Sequence, residues 1–248
     1  MPRKNSAISW IRSRALPLTG GLLLLGTAIL FGLHLERTTV VDEYRFVGLE
    51  RVDESELREL TNLPTGIHPD SINFRSIMDP LLGHPWIRET TVRPQTGGRM
   101  ALHITEREPI AILIAANGRC YMDRDGMRMD LRGQAVDLPL VHGFSCRIGD
   151  QLEGDAFDDV RNFLTTMQRD PLSWHTLSEV SWNHREGVTA LTQENGVKIL
   201  FGKGEFERKQ TYWNRFYREV VTKEGIESFR TVDLRFQKQI VTEKTPAG

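Results

Sequence analysis

The groups able to do chemistry are scattered along this chain, and none falls in a spacing that a reaction requires. Seven histidines (His34, His68, His84, His103, His142, His175 and His184) could hold a metal, but they are dispersed, and the H-E-x-x-H pattern that aims two rings at one ion is absent. Gly143-Phe144-Ser145-Cys146 resembles a nucleophile elbow only as far as its serine, because arginine stands where the second small residue must be. Glu106 and Glu108 share one face of an extended segment and could pose as a carboxylate pair for glycan cleavage, although solvated charges at a hinge are the plainer reading. Asp123 and Asp125 flank an arginine without the twelve-residue pattern of a calcium loop. No glycine-rich phosphate loop and no C-x-x-C is present. The chain therefore reads as a non-enzyme that needs neither cofactor nor metal.

Something other than catalysis must then explain the architecture, and its first element is plain. Residues 15–33 (ALPLTGGLLLLGTAILFGL) run without a charge and as a helix would span about 28 Å, close to the hydrocarbon thickness of a bilayer. Arg3, Lys4, Arg12 and Arg14 precede this stretch, whereas mixed charges follow it, which places the N-terminus in the cytoplasm. We read residues 1–14 as a basic cytoplasmic tail and 15–35 as a single transmembrane helix. A cleaved signal peptide would want a shorter apolar core and a small-residue cleavage site, which Phe31-Gly32-Leu33-His34 does not offer.

The chain as a whole is rich in charge, 26% Asp, Glu, Lys and Arg with a net charge of −1, so it carries no nucleic-acid footprint. Cys120 and Cys146 would both lie outside the cytoplasm, where a disulfide is permitted; the sequence leaves open whether they meet.

Hydrophobic periodicity predicts a strand at 44–49 and then a helix from Val52-Asp53-Glu54-Ser55-Glu56-Leu57, with Asp53 as cap and Glu56 reaching back in capping-box fashion. A second helix is predicted from Pro69 or Asp70, with Phe74, Ile77, Met78 and Leu81 on one face and Pro80 disturbing its last turn. Strands follow at 87–93 and 100–105, giving the order β-α-α-β-β. From Ile110 short strands dominate: 110–115, 121–122 and 127–131, with a hairpin turn at Asp125-Gly126. A helix is predicted over 155–167, then strands at 179–182, 188–192 and 197–201 with Asn195-Gly196 between the last two. A helix over 205–221 and strands at 231–236 and 240–242 close the fold. The class is α+β: a POTRA-like unit over 42–109, a mixed β-rich domain with flanking helices over 110–242, and a loose tail over 243–248.

Several short motifs in this order resemble the FtsQ/DivIB family of bacterial cell-division proteins. Phe46-Val47-Gly48 is similar to the first-strand V-x-G of that family's POTRA domain, and His84-Pro85-Trp86-Ile87 to the P-W-V/I before its second strand. Glu106-Arg107-Glu108-Pro109-Ile110-Ala111 resembles the E-R-x-P-x-A hinge, Tyr121-Met122-Asp123-Arg124-Asp125-Gly126 a strand-turn signature, and Thr231-Val232-Asp233-Leu234-Arg235-Phe236 the V-D-L-R-F/Y near the end. The chain departs from the family in Pro80 and in the turn Gln237-Lys238-Gln239, which lacks the glycine of many members.

The resemblance implies a bitopic, non-enzymatic divisome scaffold in the inner membrane, exported domains outward, that binds FtsB- and FtsL-type coiled-coil partners and links early division proteins to the septal peptidoglycan synthase. It implies further that the binding edge lies at Arg235, Phe236, Lys238, Ile240 and Val241, with Arg185 as a second basic contact. The alternative is a bitopic POTRA adaptor of an envelope secretion or assembly machine.

Overall fold

The computed structural model describes residues 25–28, 40–133 and 137–246. The basic tail, Gly32 and almost all of the expected 15–35 helix lie outside those residues; among the described residues no helix is long and apolar enough to cross a membrane.

The described chain is α+β and β-rich, built on two sheets. The smaller sheet has the order β1-β3-β2, formed by β1 (Glu43–Val47), β2 (Ile87–Gln95) and β3 (Arg99–Glu106), with β1 parallel and β2 antiparallel to β3. Between β1 and β2 lie α1 (Glu54–Leu60) and α2 (Phe74–Leu82), so the order is β-α-α-β-β. Alternation along β1 sends Tyr44 and Phe46 inward to meet Leu57, Ile77 and Leu81 from the helices. The start predicted near Pro69 is a separate 3₁₀ turn, Pro69–Ser71; α2 opens later, where the Asn73 side chain accepts from Arg75 N–H. Pro80 is accommodated in the last turn, and α2 ends two residues beyond it at Leu82.

The predicted capping box does not form. Asp53 has the extended backbone of a cap but makes no side-chain cap bond, and Glu56 is drawn elsewhere. It accepts from His84 Nε2 at 3.0 Å and from Arg132 Nη1 at 2.8 Å, the latter 76 residues away in sequence. His84 Nδ1 accepts from Trp86 N–H, so the ring carries its proton on Nε2 and donates to Glu56. Glu106 is not a solvated hinge charge either, nor free to pair with Glu108. Its carboxylate accepts from the backbone N–H groups of Glu50, Arg51 and Val52 and so anchors the loop that leads into α1.

The larger sheet has nine strands in the order β12-β11-β10-β9-β8-β7-β4-β5-β6. They are β4 (Pro109–Ala115), β5 (Gly118–Asp123), β6 (Arg128–Met129), β7 (Leu140–His142), β8 (Leu177–Asn183), β9 (Gly187–Thr192), β10 (Lys198–Gly202), β11 (Phe229–Asp233) and β12 (Val241–Lys244). Most neighbours are antiparallel, but β7 is parallel to both β4 and β8, and β11 is parallel to β10. Helices α3 (Asp155–Met167), α4 (Pro171–Thr176) and α5 (Phe206–Phe216) pack against this sheet. Phe157, Val160, Phe163, Leu164 and Met167 of α3 meet Phe201 of β10 and Phe206 of α5, with the Phe163 ring 4.7 Å from Phe201 and 5.7 Å from Phe206.

The turn after β5 is longer than a two-residue Asp-Gly hairpin. Gly126 N–H donates to Asp123 O, Asp123 N–H to Met127 O, and of the turn residues only Gly126 has positive φ. Asp123 closes it by accepting from Asp125 N–H and Met127 N–H while bound by Arg107 at 2.8 Å. The last strand reaches Lys244, two residues into the segment expected to be loose, and Thr245 N–H still donates to Ser228 O.

The two sheets share a boundary. Trp86, fully buried, stands edge-on to Tyr121 of β5 at 5.8 Å, and its indole N–H donates to Asp130 at 2.9 Å. Arg132 joins Asp130 to Glu56, so a chain His84–Glu56–Arg132–Asp130–Trp86 ties the first unit to the segment after β6. Hydrogen bonds from Arg132 and then His84 hold the Glu56 carboxyl below its ordinary value of 4.5. A carboxyl whose folded pKa is lowered stabilises fully above its unfolded pKa and loses that contribution as pH falls through the folded value. Stability against urea should therefore decline on acidification below about pH 5, and Glu56→Gln should make the decline shallower. Parallel declines in the two proteins would show that the contact contributes nothing.

Candidate functional site

The C-terminal end of the larger sheet gathers the residues that the sequence singled out. β11 ends in the buried pair Val232-Asp233, and Leu234 continues the ladder by donating its N–H to Leu200 O at 2.9 Å. The chain then turns outward. Arg235 folds back on Asp233: its backbone N–H and Nε both donate to Oδ1, at 3.0 and 2.9 Å, and Nη2 donates to Oδ2 at 2.5 Å. Burial opposes ionisation of Asp233, yet the bonds from Arg235 and the field of Lys209 outweigh it and leave the pKa lowered. The Arg235 guanidinium is thus held in a fixed orientation while 37% of its side-chain surface stays in solvent.

Phe236 is 45% exposed, so it is a surface aromatic and not a core residue. Lys238 adopts φ of +66°, the left-handed conformation that a glycine would take at no steric cost, which explains how the turn manages without one. Ile240 is half-buried against the core, and Val241 is 45% exposed at the start of β12.

Arg185 comes to the same end of the sheet. It sits in the β8–β9 turn, where Asn183 Oδ1 accepts from the N–H groups of Arg185 and Glu186. Gly187 at the foot of this turn lies directly on Gly202, and Gly202 in turn lies against the Arg235 stem. Glu186 is engaged by Lys198 at 3.0 Å and lies within the field of Arg235. Arg185 itself is exposed.

β12 is the outer strand of its sheet and all four of its residues are exposed. It pairs with β11 through Val241↔Asp233, Thr242↔Val232 and Glu243↔Thr231. Because Thr245 N–H points at Ser228 O, alternation turns the main-chain groups of Thr242 and Lys244 away from β11. Among the described residues no strand pairs with that side, which leaves a hydrogen-bonding edge open.

Beside the edge runs a groove of about 660 Å³, floored by Tyr212, Phe216, Val220, Phe229 and Ile240 and rimmed by Arg215, Glu219, Glu224, Lys238 and Lys244. Its helical wall is α5 and the π-helical turn Tyr217–Val221 that continues it. Along this wall Phe216 is buried, whereas Tyr217 and Val220 are half-buried. The signal for a second apolar stripe was present at Tyr212, Phe216 and Val220, spaced by four, but a stripe beside a core stripe has no mark of its own. Lys209 was missed altogether. It lies three residues after Phe206 on the buried face of α5, is 3% exposed, and its Nζ donates to Lys203 O and Gly204 O at 2.8 and 2.7 Å.

An edge strand, an adjoining apolar groove and a fixed cation suit the capture of a polypeptide. Residues 108–243 match the family model described as FtsQ/DivIB, C-terminal related. The chain is 26% identical to the cell division protein FtsQ of Salinibacter ruber over 91% of its own length and 92% of that protein's. It is 29% identical to the FtsQ of Rhodothermus marinus, covering 90% of this chain and 83% of that one, and 25% identical to the FtsQ of Geotalea daltonii, covering 94% and 88%. The chain belongs to the FtsQ/DivIB family of cell division proteins.

Proposed function

We propose that this protein is a non-enzymatic bitopic scaffold of the bacterial divisome, anchored in the inner membrane by residues 15–35, with residues 42–109 as a POTRA domain and 110–242 as the partner-binding β domain. The partners are FtsB- and FtsL-type proteins, and the assembly connects early division proteins to septal peptidoglycan synthesis. The observation that carries this reading is the unpaired edge of β12 beside an apolar groove, with Arg235 and Phe236 exposed where the chain enters it. An incoming segment can add to such an edge through main-chain hydrogen bonds, and alternate side chains then reach the groove and confer specificity. Arg235 meets an acidic partner residue, Phe236 adds aromatic contact area, and Lys238, Ile240, Val241 and Arg185 complete the surface.

Arg235→Glu combined with Phe236→Ala should reduce capture of the exported segment of an FtsB-type protein by at least about a hundredfold, since charge reversal and loss of an aromatic anchor each cost on the order of 2 kcal/mol. Retained binding by a variant with an unchanged thermal midpoint would show that partners dock elsewhere.

A further inference from the structure

The recognition arginine does not stand alone. Behind it, Gly202 has φ of +76° and its Cα faces the Arg235 stem so closely that a Cβ there would lie 2.9 Å from Arg235 Cγ. Lys209 Nζ lies 3.7 Å from the same point. The ammonium is almost wholly buried, and it donates to the carbonyls of Lys203 and Gly204, the two residues that follow Gly202. A buried lysine needs a reason to be there, since an apolar residue in the same stripe would avoid the cost of desolvating its charge. Burial does lower its pKa, and the fields of Glu205, Asp159 and Asp233 act against that lowering. Two routes therefore lead from Lys209 to Arg235. One is mechanical, through the 202–204 turn on which the arginine stem rests; the other is electrostatic, through Asp233, which sits in the field of both cations.

We infer that Lys209 is a positioning residue for partner recognition: it braces the 202–204 turn and supports the ionised Asp233, so that Arg235 is presented in one orientation. This inference rests on the reading of β12 and Arg235 as the partner-binding edge. It assigns Lys209 no contact with the partner, because its side chain lies beneath the surface. Preorganisation is the gain, since an arginine already fixed loses less side-chain freedom when a carboxylate arrives.

The test is a double-mutant cycle on the full chain in detergent micelles, with the exported segment of the FtsB-type protein of the same organism as a purified peptide. Wild type, Lys209→Met, Arg235→Ala and the double variant are compared by calorimetric titration at several salt concentrations. Lys209→Met should weaken binding about fivefold in the presence of Arg235 and have no further effect in its absence, the coupling expected of groups that act as a unit. It should also flatten the salt dependence that the arginine supplies. Gly202→Ala displaces the arginine stem without removing the ammonium, and should give the same pattern of loss with Arg235 and none without it; it serves also if Lys209→Met does not fold. Equal losses in both backgrounds, or none from either variant while Arg235→Ala weakens binding, would overturn the inference and leave the edge reading standing. A silent Arg235→Ala would overturn the edge reading together with the inference.

Discussion

Replacing Trp86 by alanine is expected to destabilise the two-sheet fold by about 3–5 kcal/mol, the range for removing a large aromatic side chain from a packed core. Trp86 is fully buried, and its surroundings come from both sheets: Tyr121 of β5 edge-on at 5.8 Å, the Arg51 guanidinium 5.7 Å from the ring centroid, and Asp130 on the indole N–H. Loss of the ring opens a cavity in the core that the first unit shares with Tyr121 and Met129 of the larger sheet, and leaves Asp130 with Arg132 as its remaining side-chain partner. Trp86→Phe separates these effects. It keeps most of the apolar area and removes only the hydrogen bond, so a loss near 1 kcal/mol is expected. Because the residue belongs to the boundary, Trp86→Ala should also loosen the coupling between the units, so that amide exchange in β1 to β3 and in β5 no longer reports one opening event. A loss in urea unfolding below about 1 kcal/mol would mean that the boundary is not a packed core.

The second large effect concerns the cysteines, whose pairing the sequence left open. The structure joins Cys120 to Cys146 with Cα atoms 5.9 Å apart, inside the range a disulfide spans, and a sequence separation of 26. Cys120 is fully buried in β5, while Cys146 lies in the loop after β7. The loop is docked a second time: Cys146 N–H donates to Asn117 Oδ1 at 3.1 Å, and Asn117 Nδ2 donates back to Cys146 O. Closing a loop of this length removes unfolded-state entropy worth about 3.5 kcal/mol at 25 °C in the chain-entropy model. Cys120→Ala with Cys146→Ala should therefore lower unfolding free energy by about 2–4 kcal/mol. In the oxidised wild type both thiols should resist alkylation until a reductant is added. Alkylation without reductant, or a double variant as stable as wild type, would refute the bridge. The loss should appear at the β4–β6 end of the sheet and leave the β12 edge, at the opposite end of the strand order, unchanged.

What the sequence determined by itself is whatever depends on a few neighbouring residues. Asn195 and Gly196 both take φ of +58°, the turn that such a pair favours, and β9 and β10 pair as predicted. The stripe from Phe157 to Met167 sets α3 at the expected residues, because an amphipathic period of three turns leaves little choice of face. The motif residues from Thr231 to Phe236 likewise announced a strand, although β11 ends at Asp233 so that Arg235 can fold back on it and Phe236 lies exposed beyond.

Long-range contacts decided the rest. Glu56 has the spacing of a capping box, but His84 and Arg132 offer it charge-assisted bonds that a backbone N–H does not match. β7 is three residues long and exists only because β4 and β8 flank it in parallel, a pairing with no local pattern. α4, short and opened by Asp170 and Pro171, was overlooked although Asp170 accepts from Ser173 N–H as a cap should. Lys209 reads in sequence as a solvated helix charge, and only the fold shows the two carbonyls that bury it. The edge of β12 is of this kind: the sequence predicts a strand only over 240–242, and that β12 runs on to Lys244 and is last in a sheet of nine, with a groove at its side, follows from how distant segments pack.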